Sequence, residues 1–347
     1  LDSSSIVASM ARSGVIPKTY SVGFECEDSD SLQELTLARE LSSMYGTDHT
    51  EMLVNPDDLL SALISMVWSL DEPYAGGLPS WYVYKLMSSH VKVCHTGTGG
   101  DELFGNYGKW KTLEGGWLRR LLLSSRFDKA GFERRFFNCH YYTSHPEKIS
   151  KIFLDGSLIP NSSDYLFDYM NFLNPSASLC PRDFVMKLDM STQLSEEFLM
   201  MTDRFSMFHS IEARTPLLDN ELVDLVLSFS PGLRTSRSDL KGLFREAMAP
   251  FLPSSFLSAP KRGFTLPISD WLRGPLKVAV TAAFDPSRIQ SQGIFNPSLY
   301  ASYIQPHVEG YSDHSSTIWP LFMFQIWYSL SVESAPDLQR SVSEIFD

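Results

Sequence analysis

Over its first 107 residues this chain alternates short β-prone runs with longer segments of helical period. Residues 6–12 are periodic and stop at Gly14. After Pro17 comes Thr19-Tyr20-Ser21-Val22-Gly23-Phe24, apolar and rich in β formers. Leu32, Leu35, Ala38, Leu41 and Tyr45 then recur at helical spacing up to Gly46. Residues 47–54 read as a second strand, Pro56 opens a further helix, residues 80–87 are helical and residues 91–96 form a third strand. Parallel strands need a crossover long enough to return the chain to the same end, and a helix is the usual one. The alternation therefore predicts an α/β fold, a parallel sheet with crossover helices. Such sheets bind ligands outside the carboxyl ends of their strands.

The third strand runs into His95-Thr96-Gly97-Thr98-Gly99-Gly100-Asp101-Glu102-Leu103-Phe104-Gly105-Asn106-Tyr107. Three glycines in four positions let the main chain turn and approach a ligand closely, and their N–H groups suit an anion such as phosphate. Asp101 and Glu102 make sense beside phosphate if a hard cation sits between them, Mg²⁺ being the usual one. The plain alternative is a glycine turn with an Asp capping the next helix. At the start of the chain, Asp2 and the serines after it are N-cap candidates for the helix over residues 6–12. A helix opening at residue 2 of a large α/β unit reads as a motif continued from upstream, so the chain is expected to be a fragment.

Net charge is −12, from 29 basic and 41 acidic side chains, which argues against non-specific nucleic-acid binding. There is no apolar run of bilayer length and no secretory signal, so a cytoplasmic protein is expected. Cys26, Cys94, Cys139 and Cys180 are scattered without a CxxC pair, which reads as reduced thiols rather than zinc ligands. His49, His95 and His209 lack metal-ligand spacing and read as structural.

After residue 108 helical periodicity dominates, over 182–206, 220–229, 239–249 and 317–333, with no convincing strand. Residues 182–208 read as one long helix in which Asp203 and Arg204 pair and point inward. Arg214, just before Thr215-Pro216, leaves at a turn from which a guanidinium can reach a carboxylate or phosphate. Asp219 caps the helix that follows. Lys261-Arg262-Gly263-Phe264 lies between Pro260 and Pro267 and reads as an anchored basic loop suited to an anionic substrate.

Taken in order, these stretches resemble the synthetase domain of glutamine-dependent asparagine synthetases, adenylating enzymes of the PP-loop ATP pyrophosphatase class. The resemblance runs to about Trp271. It rests on Leu1-Asp2-Ser3-Ser4, the end of a Ser-Gly-Gly-Leu-Asp-Ser-Ser loop, and on Tyr20-Ser21-Val22-Gly23-Phe24 and Gly46-Thr47-Asp48-His49. Further along come Gly97-x-Gly-Gly-Asp-Glu-Leu-Phe, Asp203-Arg204-x-Ser-Met, Glu212-Ala-Arg-x-Pro-Leu-Leu-Asp219 and Lys261-x-Gly-Phe. The resemblance implies that a carboxylate, aspartate in the name-giving enzymes, attacks the α-phosphorus of ATP to give an acyl-adenylate and pyrophosphate. Ammonia or another amine then displaces AMP. It implies Mg²⁺ on Asp2 and Asp101, pyrophosphate on Ser3 and Ser4, and ATP contacts from Val22, Gly23, Thr96, Gly97, Gly99, Gly100 and Asp101. Lys241 and Lys261 match lysines facing pyrophosphate and the developing oxyanion, and Arg214 matches an arginine on the substrate side. It further implies residues 1–107 as a nucleotide-binding core whose first strand lies upstream, residues 108–347 as the mainly helical part of the same domain, and an upstream glutaminase domain. A homodimer is among the assemblies this leaves open. Thr98 departs from the family, which usually carries Glu or Asp there to activate the amine. That departure keeps two other readings open: an amidotransferase or cyclase acting on another carboxylic acid, and a diverged nucleotide-binding domain without turnover.

Overall fold

The computed structural model describes residues 1–24, 29–112, 150–155, 168–169, 180–259, 266–333, 340–342 and 344–346, with single residues 136, 140, 172 and 338. Its first part follows the expected order: α1 (Asp2–Arg12), β1 (Lys18–Phe24), α2 (Ser29–Tyr45), β2 (Asp48–Val54), α3 (Pro56–Leu70), α4 (Leu78–Met87), β3 (Val93–His95) and α5 (Gly100–Leu103). Helix α3 starts where the sequence says it should. Asn55 caps it by accepting from the Asp58 amide, and Pro56 supplies a fixed φ at a position that needs no donor.

Strands β1 and β2 pair in parallel from Lys18↔Asp48 to Phe24↔Val54. Strand β3 pairs in parallel with a strand the sequence did not announce, β4 (Glu212–Arg214), with His95 opposite Arg214. Three residues are too few to show a β period, so the expectation of no strand after residue 108 missed it. The Glu212 amide donates to the Lys92 carbonyl at 2.8 Å and the Thr96 amide to the Arg214 carbonyl at 2.9 Å, which extends the ladder at both ends. Among the described residues each sheet has two strands.

The remainder is helical. Pro181–Asp189 and Met200–Phe208 flank a π-type stretch, Met190–Leu199, so the long helix read from the sequence is continuous but wider in its middle. Asp219 caps Asn220–Ser228 by accepting from the Glu221 amide at 3.0 Å, as expected. Asp203 and Arg204 are exposed, which corrects the inward pair: the helix buries Met201, Thr202, Phe205 and Ser206 instead.

Two apolar clusters hold the molecule together. The larger joins β1, α3 and α4 to the C-terminal helices, including Ser315–Tyr328. The smaller draws on Ala8, Leu103, Phe104, Leu217, Phe244 and Met248, and so ties α1, α5, the turn Pro216–Leu218 and the helix Gly242–Met248 together. Each Leu, Phe or Met side chain among these, fully buried, contributes about 1.5–3 kcal/mol. No helix among the described residues is long and apolar enough to cross a membrane.

Candidate functional site

The smaller cluster brings three charged groups from distant parts of the chain to one point. Lys241 Nζ donates to Asp2 Oδ1 at 2.6 Å and to Oδ2 at 2.7 Å, and lies 2.5 Å from Asp101 Oδ1. Asp2 comes from the first turn of α1 and Asp101 from α5, while Lys241 immediately precedes Gly242–Met248. The framework beneath them is rigid: Phe104, just after α5, stacks on Phe244 with ring centroids 4.4 Å apart and planes 7° from parallel. Lys241 holds φ at +58°, a backbone state that costs a residue with a side chain about 1–3 kcal/mol. Its side chain is only 4% exposed. Burial pushes the Asp2 carboxyl up from its ordinary pKa, opposed by the Lys241 ammonium and reinforced by the Asp101 charge.

The glycine loop is as close to its surroundings as its composition allows. A Cβ on Gly97 would lie 2.8 Å from Asp2 Cβ and 2.8 Å from the Ser3 nitrogen. One on Gly100 would lie 2.7 Å from Asp2 Oδ1 and 2.8 Å from Leu217 Cδ1. The loop can therefore touch α1 and the Pro216–Leu218 turn only because these positions carry no side chain. A helix does begin where the glycines end, and it is a single turn, Gly100–Leu103. Asp2 is likewise not a cap: Leu1 occupies the N-cap of α1, and the Asp2 carboxylate is taken by Lys241 instead.

A cavity of about 660 Å³ opens beside the loop, with Asp2, Ser3, Thr96, Gly97, Thr98 and Asp101 in its lining. Along its length it takes walls from Lys18, Thr19 and Tyr20 of β1 and from Val93, Cys94 and His95 of β3. It thus runs between two strands that ladder with β2 and β4 respectively. Thr98 faces it. The Thr96 hydroxyl donates to Thr98 Oγ1 at 2.9 Å, and Thr98 Oγ1 lies 3.5 Å from Thr202 Oγ1. Thr202 is hydrogen-bonded in turn to the Tyr84 phenol, whose pKa burial raises well above the ordinary value. Among the described residues no carboxylate joins this hydrogen-bonded run of Thr96, Thr98, Thr202 and Tyr84.

Ser4 sits half-buried on α1 beside Ser3. Val22 is buried in the larger cluster, and Gly23 lies against Leu35. Gly99 and Gly100 are buried in the loop. The Arg214 guanidinium is turned to Glu212 Oε1 at 2.7 Å and is largely exposed, so the structure does not bring it to the Asp2–Asp101–Lys241 cluster. Lys261 lies outside the described residues.

Sequence reasoning missed two supports of Asp101 and its neighbour. Asn106 Nδ2 donates to Asp101 Oδ1 at 2.9 Å, and the Tyr107 hydroxyl donates to Glu102, whose carboxyl burial pushes up to about 7. Both lie five residues beyond their partner, a spacing that the left-handed turn at Gly105 makes possible and a helical reading hides. Thr202 and Tyr84 carried no signal at all.

The sequence model of the Asparagine synthase family matches residues 1–329. The chain belongs to this family. The match extends well past Trp271, where the motif resemblance ended. Among curated relatives, asparagine synthetase [glutamine-hydrolyzing] 1 of Bacillus subtilis is 26% identical, over 96% of this chain and 55% of its own length. Asparagine synthetase [glutamine-hydrolyzing] 3 of the same organism is 26% identical over 79% of this chain and 46% of its own. Amidase chry2 of Gibberella zeae is 22% identical over 80% of this chain and 47% of its own. The chain spans about half the length of the curated relatives it matches. The loop, Asp2, Asp101 and Lys241 all fall within the matched region.

Proposed function

We propose that this chain is the synthetase part of an ATP-dependent amide-forming enzyme, a carbon–nitrogen ligase of asparagine synthetase type. The observation that carries this reading is the convergence of Asp2 and Asp101, which line the cavity, on Lys241 beside the glycine loop. Two carboxylates that meet around one ammonium at 2.5–2.7 Å stand close enough to share a hard cation. Among the described residues no set of three or more His, Cys, Asp or Glu gathers as a metal cage. Two carboxylates completed by phosphate and water is the protein share that Mg²⁺ usually takes, so the donors present fit that ion. Mg²⁺ bound there would neutralise charge on the triphosphate as pyrophosphate leaves.

In this reading the main-chain N–H groups from Gly97 to Gly100, with Ser3 and Ser4, hold the phosphates, while Val22, Gly23 and Thr96 border the adenosine. The acid carboxylate attacks the α-phosphorus, forming the acyl-adenylate and releasing pyrophosphate. Ammonia then adds to the acyl carbon and AMP leaves with the bridging oxygen, the surplus proton passing to solvent. Lys241, and Lys261 from its loop, would balance the negative charge that grows at phosphate and oxyanion. Arg214 stays on the substrate side. The hydroxyl of Thr98, a far weaker base than a carboxylate, would accept a hydrogen bond from an amine that arrives already neutral.

Residues 1–107 form the nucleotide-binding core in this proposal, joined by β4, and residues 108–347 its mainly helical remainder. Sequence preceding Leu1 would supply the first strand of the core and, further upstream, a glutaminase domain providing ammonia in the cytoplasm; the greater length of the relatives supports this. Aspartate is the first candidate acid. The similarity to Amidase chry2 and the threonine at position 98 favour testing other acids beside it. The experiment is nucleotide product analysis on the full-length protein with ammonia and a panel of carboxylic acids. AMP and pyrophosphate that depend on one acid support the proposal; no AMP with any acid leaves only a nucleotide-binding domain.

A further inference from the structure

We propose that the Lys241 ammonium is the resident cation of the Asp2–Asp101 pair, and that a divalent cation enters this seat only by displacing it, together with nucleotide. The inference rests on the reading of the pair as metal carboxylates given above. Two carboxylates brought to one point repel, and a partly buried pair of like charges is held either by a shared proton or by a cation between them. Here that cation is covalently attached. Lys241 Nζ contacts three carboxylate oxygens at 2.5, 2.6 and 2.7 Å, and its side chain is 4% exposed. The left-handed backbone at Lys241 and the Phe104–Phe244 stack fix the direction from which it reaches in.

A divalent ion such as Mg²⁺ takes oxygen ligands at about 2.0–2.1 Å. An ammonium and a divalent ion cannot both be in contact with the same oxygens, because the two cations would be nearly touching. A bare metal ion must therefore expel a buried ammonium with no anion to receive it. A metal arriving on a triphosphate brings that anion along, and the flexible lysine stem can turn its ammonium to it. Asn106, which also donates to Asp101 Oδ1, is a positioning residue that keeps this carboxylate aimed after the lysine leaves. The seat is thus closed to metal alone and open to metal with nucleotide.

The test is titration of the full-length protein with Mn²⁺ alone, read by electron paramagnetic resonance of the free ion, without nucleotide, acid or amine. Wild type should bind at this seat more weakly than about 1 mM. Lys241→Gln should bind Mn²⁺ at least about tenfold more tightly, because a unit charge in contact with the seat is gone. Lys241→Arg, which keeps the charge, should resemble wild type. Equal binding by wild type and Lys241→Gln overturns the proposal, as does tight binding by Lys241→Arg. If the glutamine variant fails to fold, wild type decides: tight binding of bare Mn²⁺ that Asp101→Asn abolishes is also fatal. No arm needs turnover. A protein that makes no amide yet shows this Mn²⁺ pattern loses the synthetase reading and keeps this one.

Discussion

Replacing Gly97 by alanine would place a methyl group 2.8 Å from Asp2 Cβ, 2.8 Å from the Ser3 nitrogen and 3.1 Å from the Asp2 carbonyl carbon. Two of these three atoms are main chain of α1, so no side-chain rotation relieves the overlap; the helix start or the loop must move. Overpacking of this kind costs about 1–3 kcal/mol. Unfolding entropy near 60 °C is about 2.1 cal/mol/K per residue, or about 0.7 kcal/mol/K for 347 residues, so the melting temperature should fall by about 1.5–4 °C. Gly232 is the internal control. Its Cβ would meet only Arg182 Nη1 at 3.4 Å, an ordinary contact, and it lies in the helix Pro231–Arg234. Gly232→Ala should be neutral or stabilising by up to about 1 kcal/mol. Movement of α1 also carries Asp2 away from Asp101 and Lys241. Affinity for a non-hydrolysable ATP analogue should therefore drop at least about tenfold in Gly97→Ala, a loss of about 1.4 kcal/mol that Gly232→Ala does not share. Thermal melts by circular dichroism and a calorimetric titration read both effects. A Gly97→Ala protein that melts and binds like wild type would refute the close approach of loop and helix on which the site depends.

Two further outcomes follow from the geometry. Thr98→Ala should leave acid-dependent AMP formation intact and slow amide formation, whereas Thr98→Glu should hold or raise it; simultaneous measurement of AMP and amide separates the steps, and an alanine variant equal to wild type in both makes Thr98 a spacer. His209, set against Trp81 with ring centroids 4.5 Å apart and with a buried Nε2 that has no hydrogen-bond partner among the described residues, has its pKa lowered to about 4 by burial and, secondarily, by Lys85. Its folded value lies below its unfolded value, so the unfolded chain binds the extra proton between about pH 4 and 6.5 and stability rises with pH across that window. His209→Phe, which keeps a ring on Trp81, should flatten that rise by about 1–2 kcal/mol after allowance for the ring's partial exposure, measured by denaturant unfolding at pH 4.5 and 7.

The fold was legible where an element is long enough to show its period. Helix α3, with Asn55 and Pro56 at its start, and strands β1 and β2, of seven residues each, all stand close to their expected positions. Strand β4 is three residues long and is made a strand by β3 alone, so only tertiary pairing reveals it. In the site, Asp2, Asp101 and Lys241 were named from motifs, but their mutual contact depends on a cluster whose members, Leu103, Phe104, Leu217 and Phe244, read as ordinary apolar residues. Arg214 shows the limit from the other side. A motif places its backbone in a ladder, yet its side chain is free to choose a partner, and in this structure it chooses Glu212. Thr202 and Tyr84 meet Thr98 only because Met200–Phe208 and α4 pack beside the loop, which no spacing in the sequence encodes.

The most direct measurement follows one oxygen atom. Aspartate labelled with oxygen-18 in its side-chain carboxylate is incubated with the full-length protein, ATP, Mg²⁺ and ammonia, and the nucleotide product is analysed by mass spectrometry. If the Asp2–Asp101–Lys241 cluster guides attack at the α-phosphorus, each turnover leaves one labelled oxygen in AMP. Labelled inorganic phosphate with ADP would place the attack at the γ-phosphorus instead and contradict the account.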